Sequence, residues 1–105
     1  MKKLIFLTVL VFAIVPLDAK PFFKGQKEYL RECRSCHGSS QFFIGKFTPE
    51  RWKELLRNKG KKLAFNHIQT KNSVEYFQSE QYLKRVQYIE AYVDYYFKKA
   101  RKHSQ

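Results

Sequence analysis

The only two cysteines of the chain stand three positions apart, and a histidine follows the second: Cys33-Arg34-Ser35-Cys36-His37 within RECRSCHGSS (Arg31 to Ser40). No other feature constrains the fold as much. Two thiols one helical turn apart, with an imidazole beside them, serve a disulfide, a redox thiol pair, a zinc site or a covalently held prosthetic group. Each asks for a different surrounding architecture, so the rest of the chain decides among them.

The amino terminus reads as an export signal rather than as part of a domain. Met1-Lys2-Lys3 is a short basic start, Leu4 to Val15 is an apolar run, and Pro16-Leu17-Asp18-Ala19 offers a cleavage site before Lys20. Twelve residues fall short of the roughly twenty needed to span a bilayer. The expectation is a cleaved signal peptide, residues 1–19, and one domain over 20–105 in an oxidising compartment, the periplasm. A chain this short has a thin core and often needs a staple or a cofactor. Yet 17% of its residues are aromatic, a surplus that a large flat group to wrap would absorb. The formal charge is +12. Export removes nucleic acid from consideration and leaves acidic proteins or a membrane surface as partners for that charge.

Periodicity predicts an all-α domain without repeats. Lys24 to His37 places Tyr29, Cys33 and Cys36 or His37 on one helical face, and Gly38-Ser39-Ser40 stops it. Gln41 to Phe47 reads as an apolar loop. Thr48-Pro49-Glu50 is a helix start, and that helix carries Trp52, Leu55 and Leu56 to an end near Asn58-Lys59-Gly60. Lys61 to Asn72 has no lasting period and reads as a loop, with Asn72 and Glu75 as a capping box. From there, or after a break near Ser79, a long helix runs to about Lys102 with Tyr82, Val86, Ile89, Val93 and Tyr96 as its apolar stripe.

Within an all-helical domain the four chemistries separate. A thioredoxin-like dithiol needs a mixed sheet and a cis-proline opposite the pair, and neither is in prospect. A disulfide over so short a loop stabilises little. Zinc wants four ligands, and His67 and His103 lie far from finger spacing. Cys-x-x-Cys-His is the spacing of c-type haem attachment: Cys33 and Cys36 each add to a vinyl group, and His37 faces the iron as the proximal ligand. One haem c per chain is therefore the expected cofactor.

Gly25-x-x-x-Tyr29-x-x-x-Cys33-x-x-Cys36-His37 resembles the amino-terminal signature of class I cytochromes c, and Val86 to Val93 resembles the last helix of that family. The resemblance implies a small class I cytochrome c-like helical fold around the haem, in which Gly25 lets the first helix cross closely against Tyr88 or Tyr92. It implies electron transfer rather than catalysis.

Two departures follow. The family's axial methionine has no counterpart, since Met1 is the only methionine. His67, between Phe65 and Ile68, is the candidate sixth ligand; an open position or a lysine are its alternatives, and His103 in the basic tail is the weaker histidine. The family's proline after the haem motif, whose carbonyl takes the proximal ring proton, is also missing between Gly38 and Thr48, which leaves a carbonyl of Gln41 to Gly45 for that task. Filled axial positions predict an exported one-electron carrier. An open one predicts binding of a diatomic gas or peroxide chemistry, and the tyrosines Tyr88, Tyr92 and Tyr95 would suit a haem subunit of a larger respiratory complex rather than a monomer. Phe42, Phe43, Phe47 and Phe65 are expected to wall the pocket, and Trp52 to pack within its helix rather than donate to a propionate. Lys46, Lys59, Lys61 and Lys62 are expected to steer acidic redox partners, with peripheral membrane contact as a further use of the charge.

Overall fold

The structure is a computed structural model that describes residues 20–103; the signal-peptide reading of residues 1–19 lies outside the described residues. Among them every regular element is a helix: α1 (Pro21–Glu32), α2 (Arg34–His37), α3 (Ser40–Phe43), α4 (Pro49–Gln69), α5 (Val74–Phe77) and α6 (Glu80–His103), with a 3-10 turn at Ile44–Lys46. No helix among the described residues is long and apolar enough to cross a membrane.

Proline at the first helical position starts α1 at Pro21, one turn earlier than the apolar face alone predicts. Cys33, at φ −115°, ends it, and α2 adds one more turn. Gly38 then stops α2 at φ 82°, with its N–H bonded to the Arg34 carbonyl at 2.8 Å. Its own carbonyl accepts the Tyr29 hydroxyl at 2.7 Å, which fastens the cysteine turn back onto α1.

The segment 41–47 is not the loop that its length and Gly45 predict. It folds as α3 and the 3-10 turn, because Ile44 enters the core (1% exposed) and its carbonyl accepts the Trp52 indole N–H at 2.9 Å. That bond commits Trp52 to packing. Thr48 caps α4 as expected, its hydroxyl accepting the Arg51 N–H at 3.1 Å.

The chain breaks where the sequence predicts, but it does not stay irregular. Arg57 is extended, and Asn58, Lys59 and Gly60 follow in left-handed conformation at φ 53°, 58° and 69°. The helix then resumes, so the expected loop from Lys61 is helical to Gln69. Packing makes it so: Ala64 is buried in the core, and Leu63 and Ile68 rest against it. Glu54 bonds both Arg51 and Lys62, spanning the break and lowering its own carboxyl to about 2.

The expected capping box at Asn72 is absent. Ser73 occupies the N-cap of α5 in left-handed conformation, and the Asn72 amide bonds Thr70 instead. Ser79 provides the second break. Its hydroxyl accepts the Tyr82 N–H at 3.2 Å and opens α6.

The α6 stripe Tyr82, Val86, Ile89 and Val93 is buried against Trp52, Leu55, Leu56 and Phe77. α1 runs along α6 in the opposite direction, Phe22 meeting Tyr95, Gly25 meeting Tyr88 and Tyr92, and Glu28 meeting Arg85. A Cβ on Gly25 would overlap the Tyr88 carbonyl and stand 2.7 Å from the Tyr92 Cβ, so the approach requires glycine. The tyrosines expected to suit an interface, Tyr88, Tyr92 and Tyr95, lie along this contact, with Tyr95 still exposed. Tyr95 is stacked on Phe22 at 3.9 Å, Tyr92 bonds Ser40 at 2.6 Å, and Tyr88 lies beneath the Lys24 ammonium.

Candidate functional site

The described residues enclose a cavity of about 460 Å³. That lies within the roughly 300–1,000 Å³ of small-molecule and cofactor sites. Cys33, Cys36 and His37 line one side of it. Phe43, Phe47 and Trp52 form an aromatic wall, and His67 lines it together with Leu63, Tyr76 and Phe77. The two phenyl rings expected beside Phe43 and Phe47 are elsewhere: Phe42 is 62% and Phe65 59% exposed. Their helical turns point them outward, a direction that composition alone does not reveal.

His37 and His67 both line this space and stand edge to face. Their ring centroids are 6.0 Å apart and their planes are perpendicular, at 88°. Each ring is backed by a phenyl: His37 stacks on Phe43 at 4.0 Å and His67 on Phe77 at 4.1 Å. His67 sits in the last turn of α4, where its Nδ1 meets the Leu63 carbonyl at 2.8 Å. A carbonyl accepts only, so Nδ1 carries a proton in this bond, and Nε2 is the ring nitrogen left to bind a ligand. Among the described residues no hydrogen bond reaches the ring of His37, so no carbonyl of 41–45 takes the proton of the absent proline's partner. Burial first, then His67 and Lys46, lower the pKa of His37 and favour the neutral imidazole that a ligand must be.

The thiols differ in environment. Cys36 is exposed, while Cys33 is half-buried, and both are free. Burial, then the neighbouring Glu32, Glu28 and Cys36, push the Cys33 thiol up to about 12. A thiol-exchange centre needs the opposite shift, toward a stabilised thiolate.

The donor set fits a macrocyclic metal group and not a bare ion. Among the described residues, no three His, Cys, Asp or Glu side chains converge as a metal would require. Two imidazoles do line the same cavity, close to one another. With metal–nitrogen bonds of about 2 Å, two imidazoles on opposite sides of one metal have centroids roughly 6 Å apart, the spacing found here. A haem brings its own four equatorial nitrogens and asks the chain for two axial ligands, thioether anchors and apolar walls. The cavity lining offers His37 and His67, the free thiols of Cys33 and Cys36, and the apolar rings of Phe43, Phe47, Trp52 and Phe77.

No family model, curated protein or solved structure matches the chain. The site's meaning therefore rests on its own residues. Sequence reasoning named Cys33, Cys36, His37 and His67, and the structure brings them to one cavity. It missed the Leu63 carbonyl and Phe77, which seat His67; the i, i+4 step from Leu63 to His67 is the trace they leave in the sequence. His103, the weaker histidine candidate, is the last residue of α6.

Proposed function

We propose that this chain is an exported monohaem c-type cytochrome with two axial histidines, working as a one-electron carrier. The placement of His37 and His67, with ring centroids 6.0 Å apart, on a cavity that Cys33 and Cys36 also line carries the reading. A haem held there would supply a reversible ferric–ferrous couple.

The chain's own residues do the rest. Cys33 and Cys36 would hold the group by thioether bonds, so that it is not lost outside the cell. His37 and His67 would be the ligands of its iron, and the bond from His67 to the Leu63 carbonyl fixes the orientation of that ring. Phe43, Phe47, Trp52 and Phe77 exclude water, which keeps the site rigid and apolar. Histidine in place of a thioether ligand places the reduction potential below that of a His/Met cytochrome. Exposed cations around the domain, Lys46 and Lys59 among them, suit brief docking to acidic redox partners.

An optical spectrum of the exported protein, ferric and then ferrous, with and without CO, tests the reading. A low-spin ferrous spectrum unmoved by CO is expected, and His67→Ala should convert it to a high-spin form that shifts with CO. A wild-type protein that binds CO as readily as His67→Ala would remove His67 from the iron and carrier function with it. A protein without haem bands would sink the whole assignment.

A further inference from the structure

The far end of the α1–α6 pair carries a surface that the site does not use. Residues 20–27 and 94–103 together hold seven lysines and arginines and a single carboxylate, Asp94. The antiparallel contact brings the two segments to one end of the molecule. At its centre three rings are joined: Phe22 lies against Phe23 at 4.3 Å and stacks on Tyr95 at 3.9 Å. Phe23 remains 48% exposed and Tyr95 36%. The Lys99 ammonium lies 5.9 Å over the Tyr95 ring, and Lys24 covers Tyr88. Among the described residues none of Lys20, Lys24, Lys98, Lys99 and Lys102 joins an ion pair.

We infer that this end docks on a membrane surface rich in anionic phospholipid. Lysines with apolar stems around exposed aromatic rings are the chemistry of an interfacial anchor: the charges meet phosphate headgroups and the rings enter the boundary layer. An acidic protein would meet the charge equally well. It would not call for a bare phenylalanine at the centre of the ring of cations, and this favours the lipid. Along α1, Cys33 lies eleven residues from Phe22, roughly 16 Å at 1.5 Å per residue. Docking by this end therefore leaves the cysteine-lined cavity turned away from the bilayer and open to a second protein. The inference does not depend on what the cavity holds.

Co-sedimentation of the exported protein with vesicles tests it, using phosphatidylcholine alone and phosphatidylcholine mixed with phosphatidylglycerol. Binding is expected to the anionic vesicles only and to be lost by about 0.5 M salt. Phe23→Ser should weaken it roughly tenfold. The triple change Lys98→Gln, Lys99→Gln and Lys102→Gln should weaken it by more than about tenfold. Replacing Lys59, Lys61 and Lys62 with glutamine removes the same charge elsewhere and should change binding by less than about threefold. Absent binding to anionic vesicles, or equal binding to neutral ones, overturns the inference. Equal losses from the two triple variants would reduce the effect to net charge. A Phe23→Ser protein that binds as well as wild type would leave a charge-only surface, suited to an acidic protein, and the lipid assignment would fail.

Discussion

Glu28 places a carboxylate wholly inside a chain of formal charge +12 and is the one fully buried acid among the described residues. Its oxygens accept from the Tyr76 hydroxyl at 2.6 Å, Arg31 at 2.8 Å and Gln81 at 3.1 Å, with Arg85 at 3.5 Å. Burial opposes its ionisation, but the hydrogen bonds from Tyr76, Arg31 and Gln81 and the charge of Arg31 outweigh it, so the carboxyl stays below its usual value. The residue ties α1 to α5 and α6 beside the cavity that Tyr76 lines. Glu28→Gln, which still accepts one bond, should cost about 1 kcal/mol; Glu28→Leu, which orphans Tyr76 and Gln81, about 3 kcal/mol in urea unfolding. A depressed carboxyl contributes stability above its unfolded pKa and loses it as pH falls through the folded value. Glu54 behaves likewise, so the difference between wild type and Glu28→Gln isolates the Glu28 share. That difference should shrink as pH falls below the ordinary carboxylate range. A constant difference down to acid pH would show that Glu28 is not ionised in the fold. No sequence signal pointed to it: Arg31 at i+3 is visible, but Tyr76, Gln81 and Arg85 lie about fifty residues away and meet it only through the fold.

Among elements, α6 was legible and the second half of α4 was not, for a physical reason. The stripe Tyr82, Val86, Ile89 and Val93 repeats at helical spacing over polar neighbours, and all four are buried. Residues 61–69 offer Leu63, Ala64, Phe65 and Ile68 among lysines, Asn66, His67 and Gln69, and Phe65 points to solvent. Their helix depends on contacts made across the cavity rather than on its own pattern. The break before it was legible in Asn58-Lys59-Gly60, though its three successive left-handed residues were not. Gly60 there is irreplaceable on two counts: φ is 69°, and a Cβ would overlap the Tyr82 hydroxyl, which donates to the Gly60 carbonyl at 2.6 Å. Gly60→Ala should therefore cost about 3 kcal/mol through strain and overpacking. Lys59 is left-handed at φ 58° with an exposed side chain, so Lys59→Gly relieves strain and should raise stability by up to about 1 kcal/mol. Thermal unfolding of the two variants checks the pair. Similar losses from both would mean that the turn is set by side-chain contacts rather than by backbone conformation. The positive-φ residues Lys71 and Ser73 flank the other end of this segment, so the element that carries His67 is held at both ends by backbone conformations that glycine would adopt more readily.

At the scale of the molecule, the cavity and the stability of the domain are one question. A dry void of about 460 Å³ at roughly 24 cal/mol per Å³ would cost about 11 kcal/mol, against a typical total stability of roughly 5–15 kcal/mol. Water entering at the cysteine edge lowers that figure but wets the aromatic wall of Phe43, Phe47 and Trp52. The core residues Trp52, Leu55, Ile89 and Val93 line the same space. A haem held there, as proposed, would complete the core, and its binding free energy would be folding free energy. Replacing Cys33 and Cys36 together with serine, which removes the covalent hold but keeps the helices' sequence, should leave a chain without a cooperative thermal transition. It should bind a hydrophobic dye and keep part of its helical circular dichroism. The exported wild type should melt in one sharp step. A double-serine protein that melts as cooperatively as wild type, with no haem bands, would mean that helix packing alone sustains the fold. The residues of the wall would then have been placed for something other than a permanently held group.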